Sequence, residues 1–123
     1  MVYIIDDDES VLDAMELLMQ SAGIDAATFS SAVDFLQKVT PSITDCIVMD
    51  LCMPGLHGFE MLRILSDRGV TVPVIVLTAL DEAESRERAR QMGVKAFFRK
   101  PVDDQALIDM IHWSLGSRET AEG

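Results

Sequence analysis

The sequence lacks the features that mark several large classes of protein. Its 123 residues contain only two cysteines, fewer than a disulfide-stapled secreted domain carries. No apolar run approaches the roughly 18 residues that cross a bilayer, and the first residues, Met1-Val2-Tyr3, do not resemble a signal peptide. Ten Lys and Arg stand against 21 Asp and Glu, a net charge of −11. We therefore expect a cytoplasmic domain with reduced thiols, no membrane contact and no direct binding of nucleic acid, which needs clustered basic residues.

What remains is an alternation of apolar runs and helical patterns. Short apolar or β-branched runs predict strands at 2–5, 24–29, 45–50, 72–77 and 96–98. Apolar residues at helical spacing predict helices that begin near 11, 32, 58, 82 and 104 and end by Gly23, Pro41, Gly69, Gly93 and Gly116. Strands that alternate with helices predict an α/β domain, a doubly wound parallel sheet with helices on both faces. We assign it to residues 1–116, and residues 117–123 to a polar tail that starts a linker to a missing output domain.

Reactive side chains follow most of the predicted strands. They are Asp6, Asp7 and Asp8 after the first strand, Asp50 after the third, Thr78 after the fourth and Lys100 after the fifth. Any one of them alone would most simply be a helix cap, a turn residue or a solvated lysine. Because the C-terminal ends of parallel strands share one edge of a sheet, we expect these groups to converge there. Such convergence favours a functional site over a set of unrelated caps.

Clustered carboxylates beside a lysine and a hydroxyl suit phosphoryl transfer to a carboxylate. Carboxylates repel one another, and Mg²⁺ relieves this by taking oxygen ligands from one or two of them and from the phosphoryl group. Asp7 and Asp50 are the predicted metal ligands, with Asp6 acting directly or through water. Asp50 is also the predicted nucleophile, which would form an aspartyl-phosphate. Lys100 would neutralise the phosphoryl oxygens, and the Thr78 hydroxyl would donate a hydrogen bond to one of them.

Four segments together resemble a known family. They read Ile5-Asp6-Asp7-Asp8, Met49-Asp50-Leu51-Cys52-Met53-Pro54-Gly55-Leu56-His57-Gly58, Val76-Leu77-Thr78-Ala79 and Arg99-Lys100-Pro101. In order and spacing the chain resembles the receiver domains of two-component response regulators, from Val2 to about Leu115, and most of all those of the nitrogen-fixation regulator type. The resemblance implies a flavodoxin-like (βα)5 fold with strand order 2-1-3-4-5. It also implies a signalling domain, not an enzyme, that catalyses only its own phosphorylation and dephosphorylation.

The resemblance assigns roles to the residues around the acceptor. Asp50 matches the phospho-acceptor, and Asp6 and Asp7 match the acidic pair that binds Mg²⁺ (or Mn²⁺), with Asp7 as the direct ligand. Cys52 matches the position whose backbone carbonyl completes the metal site. Lys100 matches the lysine that contacts the phosphate, and the bond that follows it, to a proline, matches one that is usually cis.

Further positions match the switch and the lifetime of the phosphoryl group. Thr78 matches the switch hydroxyl, and Phe97 matches the aromatic residue that rotates inward when this hydroxyl moves toward the phosphate. Cys52 and Leu80 occupy positions that vary among relatives and tune the lifetime. Because neither a thiol nor an isobutyl group can orient an attacking water, we predict slow intrinsic dephosphorylation.

The resemblance also implies partners. A sensor histidine kinase would donate the phosphoryl group, and an output domain outside this chain, linked or separate and of the DNA-binding helix-turn-helix type, would respond to it. The predicted helix 82–91 is rich in charge and poor in apolar residues, so it should be shallowly buried and easier to shift than its neighbours. This helix, strand 96–98 and helix 104–115 form the predicted output surface, where a phosphorylation-dependent homodimer would also assemble.

Three other functions are weighed against this one. A haloacid-dehalogenase-like phosphatase also forms an aspartyl-phosphate, but such enzymes carry a second acid where this chain has Cys52. A nucleotide-binding or flavin-binding module needs a glycine-rich loop after the first strand, where this chain has acids. A phosphorylation-independent interaction domain would not need the complete acceptor set. His57 and His112 have no second ligand nearby in sequence and are predicted to be surface residues.

Overall fold

In the computed structural model the chain forms one parallel five-stranded sheet. Residues 1–79 and 83–122 are described, and of residues 116–122 only the helix. The strands are β1 (Val2–Ile5), β2 (Ala26–Phe29), β3 (Cys46–Met49), β4 (Val74–Thr78) and β5 (Ala96–Arg99). The helices are α1 (Glu9–Ser21), α2 (Ala32–Lys38), α3 (Gly58–Asp67), α4 (Ala83–Gln91) and α5 (Asp104–Glu122). All neighbouring strands pair in parallel in the order β2-β1-β3-β4-β5, so the predicted fold and strand order are confirmed.

Helices cover both faces of the sheet and enclose two apolar cores. One core lies under α2, α3 and α4 and includes Phe35, Met61 and Ala89. The other lies under α1 and α5 and includes Met19 and Ile111. Every residue of β3 and β4 is buried, whereas the edge strands β2 and β5 are partly exposed. A side chain at the end of β3 therefore lies at the centre of the sheet edge.

Helix α1 begins at Glu9, two residues before the start near residue 11 that its apolar pattern predicted. Asp8 is the N-cap, and its carboxylate accepts a hydrogen bond from the backbone N–H of Ser10. Leu12 and Met19 are buried at the centre of the apolar stripe. Val11, near which the sequence pattern placed the start of the helix, is only half-buried at the margin of this stripe.

Several element boundaries differ from the predicted ones. Strand β4 starts at Val74 because Pro73, without an N–H group, cannot donate to a neighbouring strand, and it ends on Thr78 instead of before it. Helix α5 does not end at Gly116 but continues to Glu122. Glycine costs only about 1 kcal/mol in a helix, and good helix formers follow it in the sequence, so the helix runs on. Asp81, which with Glu84 forms a capping-box pattern in the sequence before the fourth helix, lies outside the described residues. Within the described chain no helix has the length and apolarity to cross a membrane.

Candidate functional site

The acidic residues that follow β1 and β3 meet at the C-terminal edge of the sheet. These strands are paired neighbours, and the backbone N–H of Asp50 donates to the carbonyl of Ile5 at 3.1 Å. Carboxylate oxygens of Asp6, Asp7 and Asp50 lie within 4.8 Å of one another. Asp6 and Asp50 are buried, and Asp7 is exposed. Three carboxylates thus face one small region, two from below and one from the solvent side.

Lys100 closes this cluster from the end of β5. Its ammonium donates hydrogen bonds to Asp6 Oδ2 at 2.7 Å and to Asp50 Oδ2 at 2.8 Å. The backbone N–H of Lys100 donates to the carbonyl of Thr78 at 2.9 Å, and the peptide bond to Pro101 is cis, as predicted. Burial lowers the pKa of Lys100, but hydrogen bonds and charges from Asp50 and Asp6 outweigh it, and the pKa is raised above its ordinary 10.5. Lys100 therefore carries the charge that balances the acids.

Backbone N–H groups hold the two buried carboxylates in place. Asp6 Oδ1 accepts a hydrogen bond from Asp8 N at 2.9 Å, and Asp50 Oδ1 accepts one from Cys52 N at 3.0 Å. Each oxygen retains a second lone pair, and carboxylate oxygens are the ligands that hard cations prefer. The donor set of Asp6, Asp7 and Asp50 therefore fits Mg²⁺ or Mn²⁺.

Asp8 is adjacent to these acids in sequence but has a separate task. Its carboxylate accepts hydrogen bonds from both the hydroxyl and the backbone N–H of Ser10. The hydrogen bond from the Ser10 hydroxyl has the largest effect and lowers the pKa of Asp8. The bond from the backbone N–H also lowers it, whereas burial opposes both. Asp8 therefore caps α1, and of the three consecutive aspartates only Asp6 and Asp7 belong to the cluster.

Thr78 and Phe97 lie on the face of the sheet that α2, α3 and α4 cover. Val76 pairs with Phe97 and Thr78 pairs with Arg99, and residues two apart in a strand share a face. Thr78 is fully buried at the end of β4, and the Phe97 ring is half-buried against the core below α4. The two predicted switch residues are therefore diagonal neighbours on adjacent strands, offset by two residues.

Of the two positions predicted to tune the lifetime of the phosphoryl group, only Cys52 is among the described residues. Cys52 is exposed in the loop that follows Asp50, and its backbone N–H orients the Asp50 carboxylate. Leu80 lies outside the described residues. Cys52 is thus at the rim of the cluster, where a side chain faces solvent.

Three side chains near the site have contacts that the sequence did not predict. Arg86 lies over the ring of Phe97, at 4.9 Å from its centroid, and Arg88 lies over the ring of Phe59 at 4.3 Å. His57 is not a simple surface residue: it is the N-cap of α3, where Nδ1 accepts from Phe59 N at 3.2 Å, and its ring stacks on Phe59. A histidine directly before the predicted helix start was a usable signal for the cap. The arginine contacts had none, because they depend on how α4 lies on the sheet.

Comparison with known proteins gives the family. Residues 2–112 match the response regulator receiver domain. This chain is a response regulator receiver domain. The transcriptional regulatory protein FixJ of Azorhizobium caulinodans is 37% identical over 115 residues, which cover 94% of this chain and 54% of FixJ. FixJ of Bradyrhizobium diazoefficiens is 31% identical over 120 residues, which cover 98% of this chain and 58% of that protein. The predicted likeness to regulators of the nitrogen-fixation type is thereby confirmed.

Solved receiver structures share the fold. A response regulator receiver protein from Burkholderia phymatum is 39% identical, with a TM-score of 0.79 over 94% of each chain. The receiver spans about half the length of the curated relatives it matches. Several of these relatives are named as transcriptional regulatory proteins.

Proposed function

We propose that this receiver is a phosphorylation-activated switch in which Asp50 accepts a phosphoryl group from the phosphohistidine of a sensor histidine kinase. The observation that carries the proposal is the contact of the Lys100 ammonium with Asp50 Oδ2, at 2.8 Å, inside a cluster of three carboxylates. The cluster therefore combines a nucleophilic carboxylate, a cation for the incoming phosphoryl oxygens and oxygen ligands for a metal. This set is what phosphoryl transfer, which depends on positioning and charge stabilisation, requires.

In the proposed transfer an Asp50 oxygen attacks phosphorus in line with the leaving histidine nitrogen. The phosphorus–nitrogen bond breaks as the phosphorus–oxygen bond forms, and the histidine leaves with the electron pair. Asp7, Asp50 and the Cys52 carbonyl, with Asp6 directly or through water, would hold Mg²⁺, which supplies positive charge to the phosphoryl oxygens. Lys100 gives up a carboxylate contact and donates to the phosphoryl oxygens instead.

The readout is proposed to run through Thr78 and Phe97. The Thr78 hydroxyl moves to donate a hydrogen bond to a phosphoryl oxygen, and the vacated volume admits the Phe97 ring. Helix α4 lies on the same face of the sheet as both residues and packs on the core that includes Phe97. It buries little of its own surface, since only Ser85 and Ala89 of its residues are buried. Because α4 is shallowly buried and lies near Thr78 and Phe97, it is the element expected to shift when they move. A minor active population should exist before phosphorylation.

The output is proposed to be transcriptional. Relatives named as transcriptional regulators are about twice as long as this receiver, which favours a DNA-binding domain beyond residues 117–123, with 1–116 as the receiver proper. The surface of residues 82–91, 96–98 and 104–115 would transmit the signal and form a phosphorylation-dependent homodimer. A kinase partner and a transcriptional output both suit a cytoplasmic protein.

Acetyl phosphate with Mg²⁺ tests the acceptor directly. We expect the intact mass of the folded protein to rise by one phosphoryl group, and no such gain in Asp50→Asn, which keeps the shape of the side chain but not its nucleophilic oxygen. Asp13→Asn removes an exposed acid of α1 outside the cluster and is the matched control. A folded parent protein that gains no phosphoryl mass, or an Asp50→Asn variant that gains it fully, refutes the proposal.

The lifetime of the phosphoryl group is proposed to be long because of Cys52 and Leu80. Hydrolysis needs a water in line with the phosphorus–oxygen bond, and neither side chain has an acid or amide to orient it. Leu80→Glu should speed the loss of phosphoryl mass after acetyl phosphate is removed, whereas Leu80→Met should not. Equal decay in both variants and in the parent protein contradicts this assignment.

A further inference from the structure

The contact between Arg86 and Phe97 joins α4 to the edge strand β5. The Arg86 guanidinium carbon lies 4.9 Å from the centroid of the ring, within the range at which a cation is attracted to an aromatic face. Arg86 is exposed, and the ring is half-buried. The cation therefore covers the side of the ring that does not face the core.

Among the described residues α4 makes one other contact of this kind, Arg88 over the ring of Phe59 in α3 at 4.3 Å, and that contact does not involve β5. The buried residues of α4 are Ser85 and Ala89, both small. Arg90, one turn beyond Arg86, donates hydrogen bonds to Glu87 of the same helix at 2.6 and 3.0 Å. This pair lies within α4 and does not connect the helix to another element. The attraction of Arg86 to the ring is thus a specific tie between α4 and a residue of β5.

We propose that Arg86 holds Phe97 in its half-exposed resting position and thereby sets the fraction of the receiver that is active before phosphorylation. The inference rests on the proposed function, in which Phe97 turns inward under α4. An inward ring withdraws its face from an exposed guanidinium, so the contact stabilises only the resting state. A contact made in one of two states shifts the equilibrium by its own free energy.

The size of the effect follows from the exposure of the pair. A cation–π contact at an exposed site corresponds to about a two- to fivefold change in an equilibrium constant. Arg86→Gln should therefore raise the inward population of Phe97 about two- to fivefold in the unphosphorylated protein. The resting receiver would become more active without any change at Asp50, Thr78 or Lys100.

Fluorine NMR of protein labelled with 4-fluorophenylalanine measures this population. The Phe97 signal is assigned with Phe97→Leu, its inward position is taken from protein phosphorylated with acetyl phosphate and Mg²⁺, and the minor state is quantified by saturation transfer. Arg90→Gln is the matched control. Arg90 lines the same surface concavity as Arg86 and Phe97, so this substitution removes an equal charge from the same helix. Arg86→Lys keeps a cation near the ring and should fall between the parent protein and Arg86→Gln.

The outcomes separate this inference from the proposed function. A two- to fivefold larger inward population in Arg86→Gln, with Arg90→Gln unchanged, supports it. If the parent protein takes up phosphoryl mass but Arg86→Gln shifts no more than Arg90→Gln, the inference fails alone. It fails also if Arg86→Lys shifts as far as Arg86→Gln, since the cation would then not be the cause. If the parent protein takes up no phosphoryl mass, the proposed function fails and the regulatory role falls with it.

Discussion

The ammonium of Lys100 donates a hydrogen bond to Asp50 Oδ2 at 2.8 Å, although 50 residues separate the two in the chain. The same ammonium donates to Asp6 at 2.7 Å. One lysine thus holds two buried carboxylates that would otherwise repel each other. When the phosphoryl group arrives, this lysine is already within reach of it.

Replacing Lys100 by Met should destabilise the protein at neutral pH. The variant leaves Asp6 and Asp50 facing each other without a cation, at a cost between that of an exposed and a fully buried pair, on the order of 2 kcal/mol. Urea unfolding measures the difference. Lys38→Met, which removes an exposed lysine paired with Asp34, should change stability by less than about 1 kcal/mol.

The same pair of proteins should show a pH dependence of known sign. The pKa of Lys100 is raised in the folded state above the ordinary 10.5. Its contribution to stability is therefore fully present below pH 10.5 and is lost as the pH rises through the folded pKa. The gap in unfolding free energy between the parent protein and Lys100→Met should shrink above that pH. A gap that stays constant there contradicts the assignment.

Mg²⁺ should stabilise the receiver, and Asp7→Asn should remove most of that effect. A cation at a hundredfold excess over its dissociation constant adds about 2.7 kcal/mol to the free energy of unfolding. Asp7 is exposed, so its replacement should hardly disturb the metal-free fold. Thermal unfolding with Mg²⁺ and with EDTA gives the comparison, and Asp13→Asn serves as control. If Asp7→Asn retains the full rise in Tm, the cation binds elsewhere.

The two thiols should differ sharply in reactivity. Burial raises the pKa of Cys46 to about 12, and the residue is fully inaccessible in β3. Cys52 is exposed. Ellman's reagent should therefore label one thiol of the native protein, and none of the Cys52→Ser variant until denaturant is added. Rapid labelling of the native Cys52→Ser protein would show that the start of β3 is accessible.

Gly58 should tolerate no side chain. A Cβ atom there would lie 2.7 Å from the Leu51 Cα and 2.9 Å from the Met49 methyl group. Because the nearer contact is backbone, Gly58→Ala must displace the start of α3 or the loop after Asp50, at about 1–3 kcal/mol. Denaturant unfolding measures it, with Arg63→Ala on the exposed side of α3 as control, expected within about 0.5 kcal/mol.

Much of the architecture could be read from the sequence because the constraints are strong. Apolar runs buried on both faces, alternating with helical patterns, leave little besides a parallel sheet with covered faces. In such a sheet the ends of β1, β3 and β5 lie at one edge, so Asp6, Asp50 and Lys100 could be expected to approach each other. The start of α1 and the end of α5 were less well determined, because helix limits depend on caps and packing more than on periodicity.

By itself the sequence determined the fold class, the strand order through its family likeness, and the residues that gather at the acidic edge. Only the tertiary structure decided which oxygen each donor contacts, that His57 caps α3, and that Arg86 lies on Phe97. The reason is physical. Periodicity and strand direction are properties of local sequence, whereas a contact between an exposed helix side chain and a ring on another element depends on how that helix is rotated and tilted on the sheet.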